Sequence, residues 1–200
     1  MGSILRSAVA AAVLVASSAA GVEAQTRLIV GVGGGTVSPL SKDKWQVGSG
    51  TAVKSIGYNA QLILGLQPPK GIWSIRLDGQ YASLNHEAVA GNNASKDKLT
   101  GANLDFVVHP GQPGSVVRPY LLAGPSVYHD SYRSGTSVGD SSNTKLGFNG
   151  GAGLALGKSD RVWFFLEARY IYTKIFDTSH GLIPVTAGVR ISTHQPYVKK

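Results

Sequence analysis

RPYLLAGPSVYHDS, residues 118–131, alternates small residues with large ones and then runs into a His-Asp-Ser cluster. Two readings of it compete: the mouth of an active site, or a membrane strand running out into water. Alternation itself has a simple cause, because successive side chains of an extended chain point to opposite faces. Whether that pattern is local or general decides the fold.

It is general. From Thr26 onward apolar residues recur at every second position in segments of about ten, separated by turn-forming stretches, which is strand period and not helix period. Eight segments are expected: Thr26–Gly35, Ser55–Gln67, Ile72–Ser83, Lys98–His109, Val117–His129, Thr144–Gly157, Arg161–Thr173 and Leu182–Ser192. The connections after odd-numbered segments read as long (TVSPLSKDKWQVGSGTAVK, LNHEAVAGNNASKD, DSYRSGTSVGDSSN, KIFDTSHG), and those after even-numbered ones as short (PPKG, PGQPGS, KSD). Long and short in alternation is the signature of an up-and-down membrane barrel with periplasmic turns and extracellular loops.

Composition agrees with a β-rich fold and narrows the function. The chain has 200 residues, 26 of them glycine, 42% hydrophobic and only 15% charged, which suits one domain. No cysteine is present, so disulfide staples, thiol chemistry and thiolate metal sites are excluded. Residues 1–24, with Arg6, a small-residue apolar run and Val22 and Ala24 before Gln25, read as a signal peptide cleaved near Ala24, leaving residues 25–200 as the exported domain. After Ala24 no run reaches the roughly 20 apolar residues of a membrane-spanning helix, so a membrane-inserted chain would have to be a barrel. The net charge of +8 favours anionic surroundings, and without nucleic-acid motifs in an exported chain that points to anionic lipid.

Period 2 does not say which face meets lipid, but volume does. Eight strands enclose a lumen just wide enough for side chains to fill. Some thirty bulky residues, among them Leu62, Leu64, Phe106, Phe148, Phe164 and Leu166, are assigned to lipid, and the glycine and charged face to the lumen. Arg76, Asp78, Asp105, Arg118, Glu167, Arg169 and Arg190 are therefore expected to form a lumenal ion-pair network, with Arg76–Asp105, Asp105–Arg118 and Glu167–Arg190 as neighbouring-strand pairs. Tyr58, Trp73, Tyr81, Tyr128, Trp163, Tyr170 and Tyr172 are candidates for an aromatic girdle at the headgroups.

The pieces RPYLLAGPSVY, LGFNGGAGLALG, VWFFLEARYIYT and IPVTAGVRI resemble strands of the small bacterial outer-membrane β-barrel domain family, the group that includes the barrel of outer membrane protein A. The resemblance covers essentially the whole mature chain. It implies an eight-stranded antiparallel transmembrane β-barrel in the bacterial outer membrane, surrounded by lipid and lipopolysaccharide and delivered by periplasmic chaperones and the barrel-assembly machinery. One departure is the end of the chain: such barrels commonly finish on an aromatic residue, whereas here STHQPYVKK follows Ile191.

The chemistry of the opening stretch is weak by comparison. His129 and Ser131 share a strand face, the arrangement nucleophilic catalysis needs, with Asp130 on the other face. Lipid A deacylases carry such a pair with a Glu, but on the next-to-last strand, where this chain has RYIYTK; no Glu follows Ser131 in its loop either. His86, His109, His129, His180 and His194 have no metal-ligand spacing, and GVGGG at 31–35 lacks the strand-turn-helix context of a phosphate loop. No catalytic residue, cofactor or metal is assigned. Lys42, Lys44, Lys54, Lys96, Lys98 and Arg133, in or beside the long loops, are candidates for lipopolysaccharide phosphates. The expected function is a non-enzymatic outer-membrane protein acting in membrane architecture or surface interaction through four extracellular loops, with a largely closed lumen. A small solute pore, a soluble lipocalin-like ligand binder and a lipid A-modifying enzyme are the alternatives.

Overall fold

The structure is a computed structural model that describes residues 26–40, 56–68, 72–85, 96–110, 115–133, 141–157, 161–175 and 178–193. The expected signal peptide and the expected cleavage near Ala24 fall on residues outside the described ones. Eight strands run β1 (Arg27–Pro39), β2 (Gly57–Gln67), β3 (Trp73–Asn85), β4 (Lys96–Val108), β5 (Val117–Arg133), β6 (Ser141–Leu156), β7 (Val162–Ile175) and β8 (Thr178–Ser192). Each pairs antiparallel with the next, and β1 closes on β8 through Gly33↔Gly188 and its neighbours. Closure removes the two open edges that a flat sheet would present.

The faces fall as the volume argument requires. Leu62, Phe106 and Phe164 are 64%, 53% and 61% exposed on the outer wall, whereas Arg76, Asp105 and Glu167 are 3%, 1% and 1% exposed inside. An apolar exterior on a closed ladder is stable only in hydrocarbon, where every backbone polar group must be satisfied internally.

Three features of the sequence reading need correction. Most strands run two to four residues further at the end opposite the termini: β1 reaches Pro39, β5 reaches Arg133 and β8 begins at Thr178. Because of this, KIFDTSHG is not a loop. Its residues pair down to Ile175↔Thr178, leaving residues 176–177 between β7 and β8, so the fourth of the four expected loops is a two-residue connection. The lumen is also not simply glycine and charge. Val37, Leu84, Leu99, Tyr128, Ile171 and Leu182 form an apolar cluster towards the loop end, and Val107, Tyr120, Leu122, Ala155 and Trp163 form a second towards the termini, with Ile29, Ile63 and Phe165 a third. Tyr128 and Trp163, expected in the girdle, belong to these clusters at 1% and 7% exposure.

Large lumenal rings fit because glycines stand opposite them. Tyr120 pairs with Gly153, Tyr128 with Gly101, and Phe165 with Gly188, itself paired with Gly33. A Cβ on Gly153 would lie 2.3 Å from Tyr120 Cζ, and one on Gly101 would lie 2.2 Å from Tyr128 Cδ1. The GVGGG run thus supplies floor space under Phe165 in a narrow barrel.

Candidate functional site

The centre of the barrel is an ion network between the apolar clusters. Arg76, Asp78, Asp105, Glu167 and Arg169 come from β3, β4 and β7, all facing inward by alternation and all 3% exposed or less. Arg76 Nε donates to Asp78 Oδ2 at 2.9 Å, and its Nη2 donates to Glu167 Oε2 at 2.7 Å. Arg169 is the hub: Nη1 donates to Asp105 Oδ2 at 2.8 Å, Nη2 to Asp78 Oδ2 and Nε to Glu167 Oε1. Burial of five charges is tolerable only because each is paired and hydrogen-bonded.

Neutral groups complete the shell. Tyr120 OH donates to Glu167 Oε2 at 2.9 Å, and Gln61 Nε2 lies 3.2 Å from Asp78 Oδ2 and 3.3 Å from Glu167 Oε1. Asn149 Nδ2 donates to Asp105 Oδ1 at 2.8 Å and also reaches Gly124 O at 3.2 Å. That carbonyl sits where the β4–β5 pairing lapses between Asn103↔Ser126 and Phe106↔Ala123, since Pro125 has no N–H to give. A further polar layer towards the loops joins Tyr128 OH, Gln80 Oε1 and Asn103 Oδ1, at 2.8 and 2.7 Å from the hydroxyl.

All seven residues expected in the lumenal network face the lumen, but not with the expected partners. The Cα partners Arg76 and Asp105 turn to different ions, Asp105 going to Arg169 and Asn149, and Glu167 to Arg76 and Arg169. Arg118 instead stacks over Trp163 with its guanidinium 4.6 Å from the ring centroid, and Arg190 over Tyr120 at 5.5 Å. The neighbouring-strand rule failed because it follows Cβ separations, whereas a guanidinium reaches across a narrow lumen. Tyr120, Gln61 and Asn149 were not singled out as network partners; inward parity on their strands was the available signal.

The His-Asp-Ser cluster is a strand end. His129 is exposed on the outer face with Nδ1 2.8 Å from Thr144 Oγ1 on β6, and Asp130 is the buried, inward member. Of the candidate cations at the loop end, Lys42, Lys44 and Lys54 lie outside the described residues. Lys96 stands directly opposite Arg133 in the β4–β5 register, and Lys98 opposite Ser131.

The fold has known counterparts. Residues 7–195 match the family described as the outer membrane protein beta-barrel domain. Among solved structures, neisserial surface protein A is similar at TM-score 0.56 and 19% identity, covering 83% of this chain and 96% of its own. The outer membrane protein OprG from Pseudomonas aeruginosa is similar at TM-score 0.54 and 15% identity, covering 86% and 98%. Ail, the attachment invasion locus protein of Yersinia pestis, crystallised with the heparin analogue sucrose octasulfate, is similar at TM-score 0.51 and 16% identity, covering 84% and 98%. No curated protein sequence matches the chain. With a closed eight-stranded barrel, an apolar outer wall and a family match over nearly its whole length, this chain belongs to the outer membrane protein beta-barrel domain family, whose place is the bacterial outer membrane.

Proposed function

We propose that this chain is a non-enzymatic, non-conducting outer-membrane barrel that acts in membrane architecture or surface interaction, presenting its loop end to anionic lipopolysaccharide. The observation that carries the reading is the filling of the lumen: apolar clusters lie to either side of the ion network, with side chains such as Tyr120, Tyr128 and Ile63 at 1% exposure. An ion crossing such a lumen would have to displace Arg169 from its carboxylates, which costs several kcal/mol, as does opening any buried, paired charge.

Anionic surroundings are supported by the position of the cations. The chain carries a net charge of +8, and Lys96, Lys98 and Arg133 fall at the loop ends of β4 and β5, where phosphates of the outer leaflet would be met. The heparin analogue bound to Ail is an anion of the same general kind on a barrel of the same fold. Catalysis finds less support, since His129 already shares a hydrogen bond with Thr144.

Planar-bilayer recording tests the central claim. Reconstituted protein should give no stepwise conductance at ordinary salt, and regular single-channel steps from a pure preparation would replace this reading with the pore. Exchanging Lys96, Lys98 and Arg133 for Gln should weaken lipopolysaccharide binding at low salt; unchanged affinity would remove the anionic partner while leaving the closed lumen standing.

A further inference from the structure

The outer wall is not uniformly bulky. Ala152 on β6 and Ala168 on β7 are paired, exposed and small, and large exposed residues surround them. Leu121 stands opposite Ala152 and Val185 opposite Ala168, while Leu154 and Leu166, themselves a pair, lie two residues nearer the termini. These side chains enclose a depression of about 440 Å3, which falls among the roughly 300–1,000 Å3 of ordinary ligand pockets. Two methyl groups form its floor and four branched side chains its rim.

A neighbouring glycine shows which side the space serves. Gly147, Gly151 and Gly153 of the same strand are packed from within: a Cβ on them would lie 2.3 Å from Tyr172 O, 2.4 Å from Ala168 O and 2.3 Å from Tyr120 Cζ. Gly150 shares the outward parity of Ala152, and a Cβ there would meet Leu122 O at 3.7 Å, an ordinary contact. The barrel therefore does not require glycine at 150. Its absent side chain extends the floor towards Ala123 and Tyr170, its partners on β5 and β7. A strand glycine with no internal cause marks a close approach from outside.

Position identifies what approaches. Leu166 lies five residues beyond the exposed Arg161 that precedes β7, which is about 17 Å along the strand and about 13 Å along the axis at a tilt of about 40°. Half of the hydrocarbon core is about 15 Å, so the depression is reached by the chains of the leaflet on the termini side. Arg161 stands at the headgroup end of that path, where a cation meets phosphate. A second barrel fits less well, because two convex walls touch along a line and leave a recess unfilled. A flexible chain enters it, and within hydrocarbon the gain comes from van der Waals packing.

We propose that the depression across β5 to β8 binds one acyl chain of a phospholipid from the termini-side leaflet, with its phosphate at Arg161. In an outer-membrane barrel this is the periplasmic leaflet. The site lies on the wall, so its test depends neither on a closed lumen nor on a partner at the loop end.

Intact-mass spectrometry of the whole chain, released from maltoside micelles carrying dioleoyl phosphatidylglycerol at stepwise concentration, tests the proposal. One saturable lipid adduct is expected. Filling the recess with Ala152→Leu/Ala168→Leu should raise half-saturation about tenfold or more, and Arg161→Gln should raise it several-fold. Ala60→Leu/Ala102→Leu, on the wall away from the recess, should leave it unchanged. Heat-modifiability confirms that each variant is folded, and Gly150→Val, whose Cβ has room, replaces the double variant if that one does not fold. Absence of a saturable adduct, an unaltered one in the folded recess variant, or equal weakening by the control pair overturns the site. A protein dimer that the recess variant abolishes overturns it in favour of a second copy, and an unaltered adduct in Arg161→Gln overturns the headgroup placement.

Discussion

Replacing Glu167 by Gln is the sharpest test of the lumenal network. Its two carboxylate oxygens accept from Arg76 Nη2 at 2.7 Å, Tyr120 OH at 2.9 Å, Gln61 Nε2 at 3.3 Å and Arg169 Nε, and the residue is 1% exposed. Glutamine keeps the shape but offers one acceptor, turns an N–H pair towards a guanidinium and removes one of three negative charges. A hydrogen bond to a charged group is worth about 1.5–3 kcal/mol, and breaking a buried pair from one side costs about 3–5 kcal/mol. Arg76 keeps Asp78, and Arg169 keeps Asp78 and Asp105, which places the expected loss near the lower bound, about 3 kcal/mol. That is roughly a hundredfold in the folding equilibrium. Reversible urea unfolding in phosphatidylcholine vesicles, followed by tryptophan emission and checked by heat-modifiability, reads it directly. In the double variant Arg76→Met/Glu167→Gln the two losses should be less than additive, because each removes the same bond. A loss below about 1 kcal/mol for Glu167→Gln, or strict additivity, would mean that water screens these charges and that the lumen is open to it.

Other substitutions test the wall and the packing. Leu62→Arg places a charge on the outer wall and should cost about 2–4 kcal/mol in the vesicle assay, as lipid-facing arginines near the midplane do; a neutral result would mean that this face does not meet hydrocarbon. Gly153→Ala sets a methyl group against Tyr120 and should destabilise by about 1–3 kcal/mol, measurable as a lower urea midpoint, unless the ring has room the structure does not give it. Tyr128→Phe removes one hydroxyl proton shared between Gln80 and Asn103 and should cost about 1 kcal/mol by the same measurement, with an unchanged midpoint showing that the two amides do not need it.

How legible the fold was depends on what each stretch faces. Where lipid lies outside and packed side chains inside, as at Ile63–Leu64 or Phe164–Glu167, the alternation is strict and the strands are found within a residue or two. Beyond the hydrocarbon the ladder continues but the outer face has no reason to be apolar, so Ser38–Pro39, Ser131–Arg133 and Thr178–His180 read as loop although they pair. Tyr128 and Trp163 were misassigned for another reason. Residue type suggested a girdle, while parity with Tyr120 on β5 and with Glu167 on β7 already placed them inside. VWFFLEARYIYT carried the signal of an apolar lumen, since Trp163, Phe165 and Ile171 interleave with the lipid-facing Phe164, Leu166 and Tyr170. The membership of the charged site was readable by parity alone; its wiring was not, because Arg169 and Asp78 lie 91 residues apart on strands that are not neighbours.

That wiring has a structural consequence which lipid cannot supply. Slipping one strand by a single residue turns its oily face inward and is forbidden outright, but a slip of two residues restores every apolar side chain to hydrocarbon and conserves the alternation. Burial therefore does not distinguish the observed registers from their two-residue neighbours. The network does, since Arg76–Glu167 and Arg169–Asp78 tie β3 to β7 across the lumen, and a displacement of two residues moves a side chain by about 7 Å along the axis, well beyond hydrogen-bond reach. The Tyr128–Gly101 pair acts in the same sense, because a two-residue slip of β5 against β4 would set the ring opposite Leu99 or Asn103 instead of the glycine. Charges and glycines inside thus select the register that the greasy wall leaves degenerate, which is a reason for a barrel to keep buried ions where an apolar plug of equal volume would be at least as stable.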